Sequence, residues 1–172
     1  QTDRPPTILF LGAHCDDIEI GCGATILRLR DSMPEVDIRW LILTSNDVRQ
    51  KEATESADQF LGVSSGDSVR IESFRDGYLP YSGSHVKDVF EEFKQEVSPD
   101  LIFTHHRHDL HQDHRLVCEL TWNTWRDHTI LEYEIPKYDG DLGRPNVFVP
   151  VSVEQVDRKV EAVLKSYGTQ AS

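Results

Sequence analysis

Five of the chain's eight histidines fall inside one ten-residue run, residues 105–114 (HHRHDLHQDH), together with Asp109 and Asp113. Far upstream, Ala13-His14-Cys15-Asp16-Asp17 places another imidazole beside two adjacent carboxylates. Imidazole mixed with carboxylate is a donor set for Zn2+, and with less preference for Fe2+, Co2+ or Mn2+. Charge argues the same way. Two carboxylates ~4 Å apart repel by on the order of 4 kcal/mol at an effective dielectric near 20. Asp16, Asp17 and Asp113 in one crevice would need a proton or a cation among them. Three protein ligands leave a fourth position for water, which is the catalytic arrangement and not the structural one.

Each cluster directly follows a short apolar run, residues 7–13 (TILFLGA) for the first and 101–104 (LIFT) for the second. These runs read as buried strands. From about residue 17 to 32 the pattern is helical, with Cys22, Ile26 and Leu29 on one stripe. Residues 38–44 predict the second strand. A helix from about Val48 carries Ala53, Ala57, Phe60 and Leu61, with Gly62 as its stop. Residues 68–74 predict the third strand, and 84–97 a helix with Val89, Phe90, Phe93 and Val97 on one face, ended by Pro99. Beyond the histidines we expect a helix over about 113–127, a strand over 130–135 and a turn-rich surface loop over 136–146. An extended segment at 147–151 leads to a final helix marked by Val156, Val160, Val163 and Tyr167.

This alternation predicts an α/β fold: a three-layer, Rossmann-like domain with a mostly parallel sheet, order 3-2-1-4-5, and helices on both faces. Residues 1–172 read as a single domain. Strands one and four are neighbours in that order, so the two clusters face one another across the crevice where open α/β sheets bind ligands. The chain begins at Gln1 and stops one turn after the last helix, at Ser172, so we expect further C-terminal residues in the full-length protein.

A chain of 172 residues buries roughly two-thirds of its unfolded surface, enough for a core without staples. Eighteen basic against thirty acidic side chains leave a formal charge of −12, which repels phosphate backbones and anionic lipid. Nucleic acid is excluded as a first choice of partner. No apolar run reaches the ~20 residues of a membrane span. The three cysteines, Cys15, Cys22 and Cys118, form no C-x-x-C pair and are odd in number, so reduced thiols and a cytoplasmic location are expected.

His14-Cys15-Asp16-Asp17 resembles an A-H-P-D-D motif, and His106-x-x-Asp109-x-His111-x-Asp113-His114 resembles H-x-x-D-x-H-x-D-H. In that order they resemble the PIG-L/LmbE-like superfamily of zinc-dependent N-acetylglucosaminyl deacetylases. Arg49-x-x-Glu52 with Ala57 and Leu61-Gly62-Val63, and Phe74-Arg75-Asp76-Gly77-Tyr78-Leu79-Pro80, are similar to two further segments of that family. The resemblance implies His14, Asp17 and His114 as metal ligands and Asp16 as the general base toward the water that the metal activates. It implies His111 as the cationic group stabilising the oxyanion, with Asp113 orienting and charging it. Arg49 and Asp76 would contact the sugar. The implied substrate is a small N-acetylated amino sugar conjugate, hydrolysed to acetate and a free amine, and a homo-oligomer is left open. Cys15 stands where the family has proline, and the acidic residue usual after the second Asp is displaced to Glu19.

Other readings compete. A dinucleotide-binding domain fails because Gly21-Cys22-Gly23 lacks the third glycine and two acids stand where a pyrophosphate would sit. A metal-dependent phosphoesterase would use two metals ~3.5–4 Å apart, and the chain supplies a convincing set for one. An inactive sugar- or metal-binding member of the same fold is the non-enzymatic alternative. Asp113 could act as a helix N-cap, and Arg49 could pair with Glu52 on its own helix. His105, His106 and His108 read as loop or supporting residues and Asp109 as supporting or structural. Cys22, Trp122 and Trp125 read as core, and Tyr78 and Tyr81 as candidates for stacking on a pyranose.

Overall fold

A computed structural model describes residues 4–62 and 65–168; Val63 of the resemblance lies outside them. The first strand, β1 (Thr7–Gly12), is buried along its whole length. Its alternate side chains feed two separate cores. Ile8 and Phe10 pack on one side of the sheet, Leu9 and Leu11 on the other. A strand buried on both faces has no polar side to show, which is why its sequence is continuously apolar.

Around β1 the chain runs α1 (Asp17–Ser32), β2 (Asp37–Thr44), α2 (Asp47–Leu61), β3 (Val69–Phe74), α3 (Gly83–Glu96), β4 (Leu101–His105), α4 (Gln112–Thr124), β5 (Thr129–Tyr133) and α5 (Val153–Ser166). All pairings are parallel and the order is β3-β2-β1-β4-β5, as expected. Helices α1, α2 and α5 contribute Cys22, Ile26, Phe60 and Ala162 to the core on one face. Helices α3 and α4 contribute Val86, Phe90, Phe93 and Val117 to the core on the other. A right-handed crossover after each parallel strand brings the helices to the faces of the sheet.

Local chemistry fixes the ends. Asn46 caps α2 by accepting hydrogen bonds from the Val48 and Arg49 amides, and Gly62 ends it at φ +69°. Gly21 and Gly23 serve packing: a Cβ at Gly21 would stand 2.3 Å from the Tyr133 ring, and one at Gly23 2.8 Å from Phe60. Among the described residues, no helix is long and apolar enough to cross a membrane.

Four expectations are corrected. Strand β4 runs one residue further than its apolar run, so His105 ends a strand and does not open a loop. His111, not Asp113, is the N-cap of α4. Trp125 is core, packed on Phe90, but Trp122 lies at the surface, donating to Glu132 with the Arg107 guanidinium over its ring. The final helix buries only the later half of its expected stripe: Val163 packs against the core and Tyr167 is buried in it, but Val156 and Val160 are 41% and 49% exposed. Its inner face is built from Gln155, Ala162 and Ser166, with Tyr167 just beyond its end. Polar tethers hold it there, including Gln155 to Asp31 at 2.8 Å and Lys159 to the Ile20 carbonyl at 2.6 Å.

The Tyr133 ring cannot yield to a methyl group at position 21, because its hydroxyl donates to the Leu11 carbonyl at 2.7 Å. Gly21→Ala gains ~1 kcal/mol of helix propensity yet should destabilise the fold by a net of about 1–2 kcal/mol through overpacking. Urea unfolding followed by circular dichroism checks this, with wild-type stability or better as the opposing result.

Candidate active site

Adjacent pairing of β1 and β4, with Phe10 opposite Phe103, delivers both clusters to one end of the sheet. His14 follows β1, Asp17 opens α1, His105 ends β4, and His111 to His114 form the entry to α4. His14 Nδ1 lies 3.1 Å from His114 Nε2 and 3.3 Å from Asp17 Oδ2, and His114 Nε2 lies 3.4 Å from Asp17 Oδ1. Ligand atoms ~2.05 Å from a tetrahedral ion stand ~3.3 Å apart. His14 and His114 thus bring one nitrogen each to within 3.1 Å of one another, and each lies against a different oxygen of the Asp17 carboxylate, close to the separation of ligand atoms around one ion, so the donor chemistry fits a metal. His14, His111 and His114 form an overlapping group of nitrogen donors.

Each donor is held from behind by hydrogen bonds, which fixes its orientation. Asp109 Oδ2 meets His114 Nδ1 at 2.9 Å while its other oxygen accepts the His111 amide at 2.7 Å. His14 Nε2 lies between Asp76 Oδ1 at 3.2 Å and Asp113 Oδ2 at 3.3 Å. The His14 amide donates to Asp17 Oδ2 at 2.7 Å. His105 is fully buried, its ring stacked 4.0 Å from that of His114, with Nε2 3.0 Å from the Ala13 amide and 3.2 Å from Asp17 Oδ2.

The electrostatics show a centre that demands positive charge. Burial alone would lower the His14 pKa, but the Asp17 charge and contacts with Asp113, Asp17 and Asp76 push it up to about 12. His114 is likewise lowered by burial but raised further by Asp17 and Asp109, to about 9. Burial drives His105 down to about 4. Asp17 resists burial through the charges of His14, His105 and His114 and stays well below the usual carboxylate range. Asp16 is raised, first by burial and then by Asp17.

The Asp113 carboxylate accepts the Gly77 amide at 2.8 Å and the Leu79 amide at 3.2 Å besides meeting His14. It touches His111 only through its backbone amide, which donates to His111 Nδ1 at 3.2 Å. Burial, then the charges of His114 and His14, lower the His111 pKa against the opposing pull of Asp113. Arg49 pairs with Asp76 at 3.0 Å, so both rim residues reach the centre through His14.

The quotas of the turn after β1 are filled from α5. Tyr167 Oη contacts both the Cys15 carbonyl and Glu19 Oε1, the latter at 2.5 Å. Burial pushes the Glu19 carboxyl up to about 8, against the lowering effect of its contact with the Tyr167 hydroxyl. Cys15 Sγ points away from the centre, to the Thr44 carbonyl. His105, Glu19 and Tyr167 were not singled out as site residues from sequence. For His105 a signal existed: period two from Phe103 puts it on the same inward face.

With this geometry in view, comparison with known proteins is informative. Residues 9–125 match the family described as PIG-L, GlcNAc-PI de-N-acetylase, and the chain belongs to that family of deacetylases. It is 29% identical over 168 residues to the "Uncharacterized deacetylase YaiS" of Escherichia coli (strain K12), covering 92% of this chain and 89% of that protein. Among solved structures it is similar to the N,N'-diacetylchitobiose deacetylase of Pyrococcus horikoshii in complex with an inhibitor, at a TM-score of 0.70 and 24% identity over 92% of this chain and 68% of the other. It is also similar to the zinc-inhibited form of the teicoplanin deacetylase Orf2, at a TM-score of 0.77 and 17% identity over 95% and 84%.

Two outcomes follow for the isolated protein. His14 and His114 have folded pKa values above the ordinary 6.5, so their contribution to stability is complete below that pH and declines as pH rises, being lost through about 9 for His114 and about 12 for His14. Thermal melts of chelated protein should fall between pH 6.5 and 9, while the gain on adding Zn2+ grows over the same range because deprotonated imidazole is the ligand; a pH-independent gain contradicts it. Asp109→Asn should weaken metal affinity by about 10–100-fold, read by competition with a chromophoric chelator.

Proposed function

We propose that the protein hydrolyses the acetamide of an N-acetylated amino sugar, releasing acetate and a free amine. One observation carries this reading: His14 Nδ1, His114 Nε2 and Asp17, a hundred residues apart in the chain, converge close to the separation of ligand atoms around one ion. Family membership supports the deacetylase chemistry, and the chitobiose deacetylase among the similar structures supports a sugar substrate. His14, Asp17 and His114 would hold the ion, with Zn2+ the best match to two imidazoles and a carboxylate. When bound, such an ion lowers the pKa of water and polarises a carbonyl.

Asp16 lies between His14 and Asp17 in the chain without being needed as a ligand, and its raised pKa moves a carboxylate toward the range where a base works near neutral pH. It takes one proton from the attacking water and returns it to the departing nitrogen as the new C–O bond replaces C–N; the water's second proton leaves on acetic acid and passes to the amine, which balances the products as acetate and an ammonium. His111 Nδ1 is occupied by the Asp113 amide, so the neutral ring carries its proton on Nε2. That N–H donates to the developing oxyanion, a task a neutral imidazole performs as well as it holds its aim. Asp113 and Asp76 accept the outer N–H of His14. Arg49 and Asp76, at the rim, contact the sugar hydroxyls, and the exposed Tyr78 and Tyr81 rings, 5.7 Å apart, offer it an apolar face.

Acetate release from a panel of N-acetylated mono- and disaccharides by Zn2+-loaded protein tests the reading. Asp16→Asn should lower kcat by about 10²–10⁴-fold with one metal still bound per chain. Unchanged turnover removes Asp16 from the role of base, and two bound metals per chain with phosphate release would replace the deacetylase by a phosphoesterase.

A further inference from the structure

The Asp16 carboxylate receives no hydrogen bond from any other residue's side chain among the described residues, so its aim depends on its backbone. That backbone sits at φ −112°, ψ −8°, at the N-cap of α1, where the side chain makes no capping hydrogen bond. Beyond it, the Asp16 carbonyl accepts the Ile20 amide at 3.0 Å as α1 begins. Before it, the Cys15 carbonyl belongs to the peptide that sets the orientation of Asp16. Among the described residues this carbonyl is held by one group, the Tyr167 hydroxyl, reaching across 152 positions of sequence.

Tyr167 is itself well anchored. It is 4% exposed, its hydroxyl also meets Glu19 of α1, and its neighbour Ser166 accepts from Gln59 of α2 at 2.7 Å. On the opposite side of the turn, Thr44 donates to the Ala13 carbonyl through both its amide and its hydroxyl at 2.9 Å. The turn is thus clamped from β2 at Ala13 and from α5 at Cys15, with Asp16 directly after the second clamp.

We propose that Tyr167 is a positioning residue: its hydroxyl, by fixing the Cys15–Asp16 peptide, aims the Asp16 carboxylate. The proposal rests on the reading of Asp16 as the base, and it makes α5, which carries no group that touches substrate, necessary for turnover. Displacing a reacting group by ~1 Å costs on the order of 10²-fold in rate.

The test is Tyr167→Phe, which keeps the ring and removes one oxygen. We expect kcat for acetate release to fall roughly 10–100-fold with KM within about twofold, and metal stoichiometry unchanged. Introduced into Asp16→Asn, the same change should cost nothing further, because a residue acting through Asp16 has nothing left to aim. A crystal structure of Tyr167→Phe should show Asp16 turned from its wild-type orientation. An unmoved Asp16, an unchanged kcat, or a full additional loss in the Asp16→Asn background each overturns the proposal. The crystallographic comparison decides it even if the wild type releases no acetate, a result that would instead overturn the deacetylase reading. If the variant does not fold, NMR of the wild type decides: a slowly exchanging Tyr167 phenolic proton close to the Asp16 amide proton supports the clamp, and a freely exchanging one overturns it.

Discussion

The site is organised around one buried anion. Asp17, at the first position of α1, has its carboxylate within 3.4 Å of imidazole nitrogens of His14, His105 and His114 and accepts the His14 amide as well. A carboxylate in such surroundings is tolerable only while positive charge stays beside it, since removing the partner of a buried ion costs ~3–5 kcal/mol. The protein supplies that charge by protonating its own histidines, and a divalent cation would replace those protons. Proton and metal compete for the same atoms. The first turn of α1 adds a favourable helix dipole, which allows Asp17 to lie deep where a mid-helix acid could not.

This anion ties together the elements that the sheet order makes neighbours. His14 leaves β1, His105 ends β4 and His114 sits in the first turn of α4, so β1, β4, α1 and α4 meet at a single carboxylate. Supporting carboxylates then fix the rings. Asp109 spans His114, the His111 amide and Lys137, while Asp113 joins His14 to the amides of the loop at Gly77 and Leu79. That loop carries Asp76 and the tyrosines, so the rim that would meet a sugar is connected to the centre through two carboxylates, Asp113 and Asp76, that both meet His14. Rigid aim is worth more here than any single contact energy, because hydrolysis depends on groups placed to within a fraction of an ångström.

Much of this was legible in the chain. Apolar runs followed by acids or histidines located the strand ends, and strand–helix alternation gave the order that joins residue 14 to residue 114. Pattern failed where polar interactions decide. Valines at 156 and 160 repeat at helical spacing, yet α5 turns them outward because Gln155, Lys159, Ser166 and Tyr167 find partners on α1 and α2. Asp113, which the resemblance sets beside His111, sends its carboxylate to His14 and the loop at Gly77. A side chain at the mouth of a helix can point either way, and spacing alone does not say which.

Cys15 shows how a departure from a family pattern is absorbed. A proline at this position would lock φ and stiffen the turn between β1 and α1. Cysteine leaves the turn free to move, so rigidity must come from contacts. The thiol donates to the Thr44 carbonyl at 3.3 Å, on the strand side, and the Cys15 carbonyl accepts from Tyr167, on the helix side. Burial, followed by the nearby Glu19 charge, pushes the thiol up to about 12, so it remains protonated and serves as a small apolar side chain, not as a ligand. Glu19, displaced one position from its usual place, lies one helical turn from Cys15 and fully buried, where it meets the same phenol. The two departures therefore converge on Tyr167, and the stiffness that proline would have supplied covalently is supplied instead by α5.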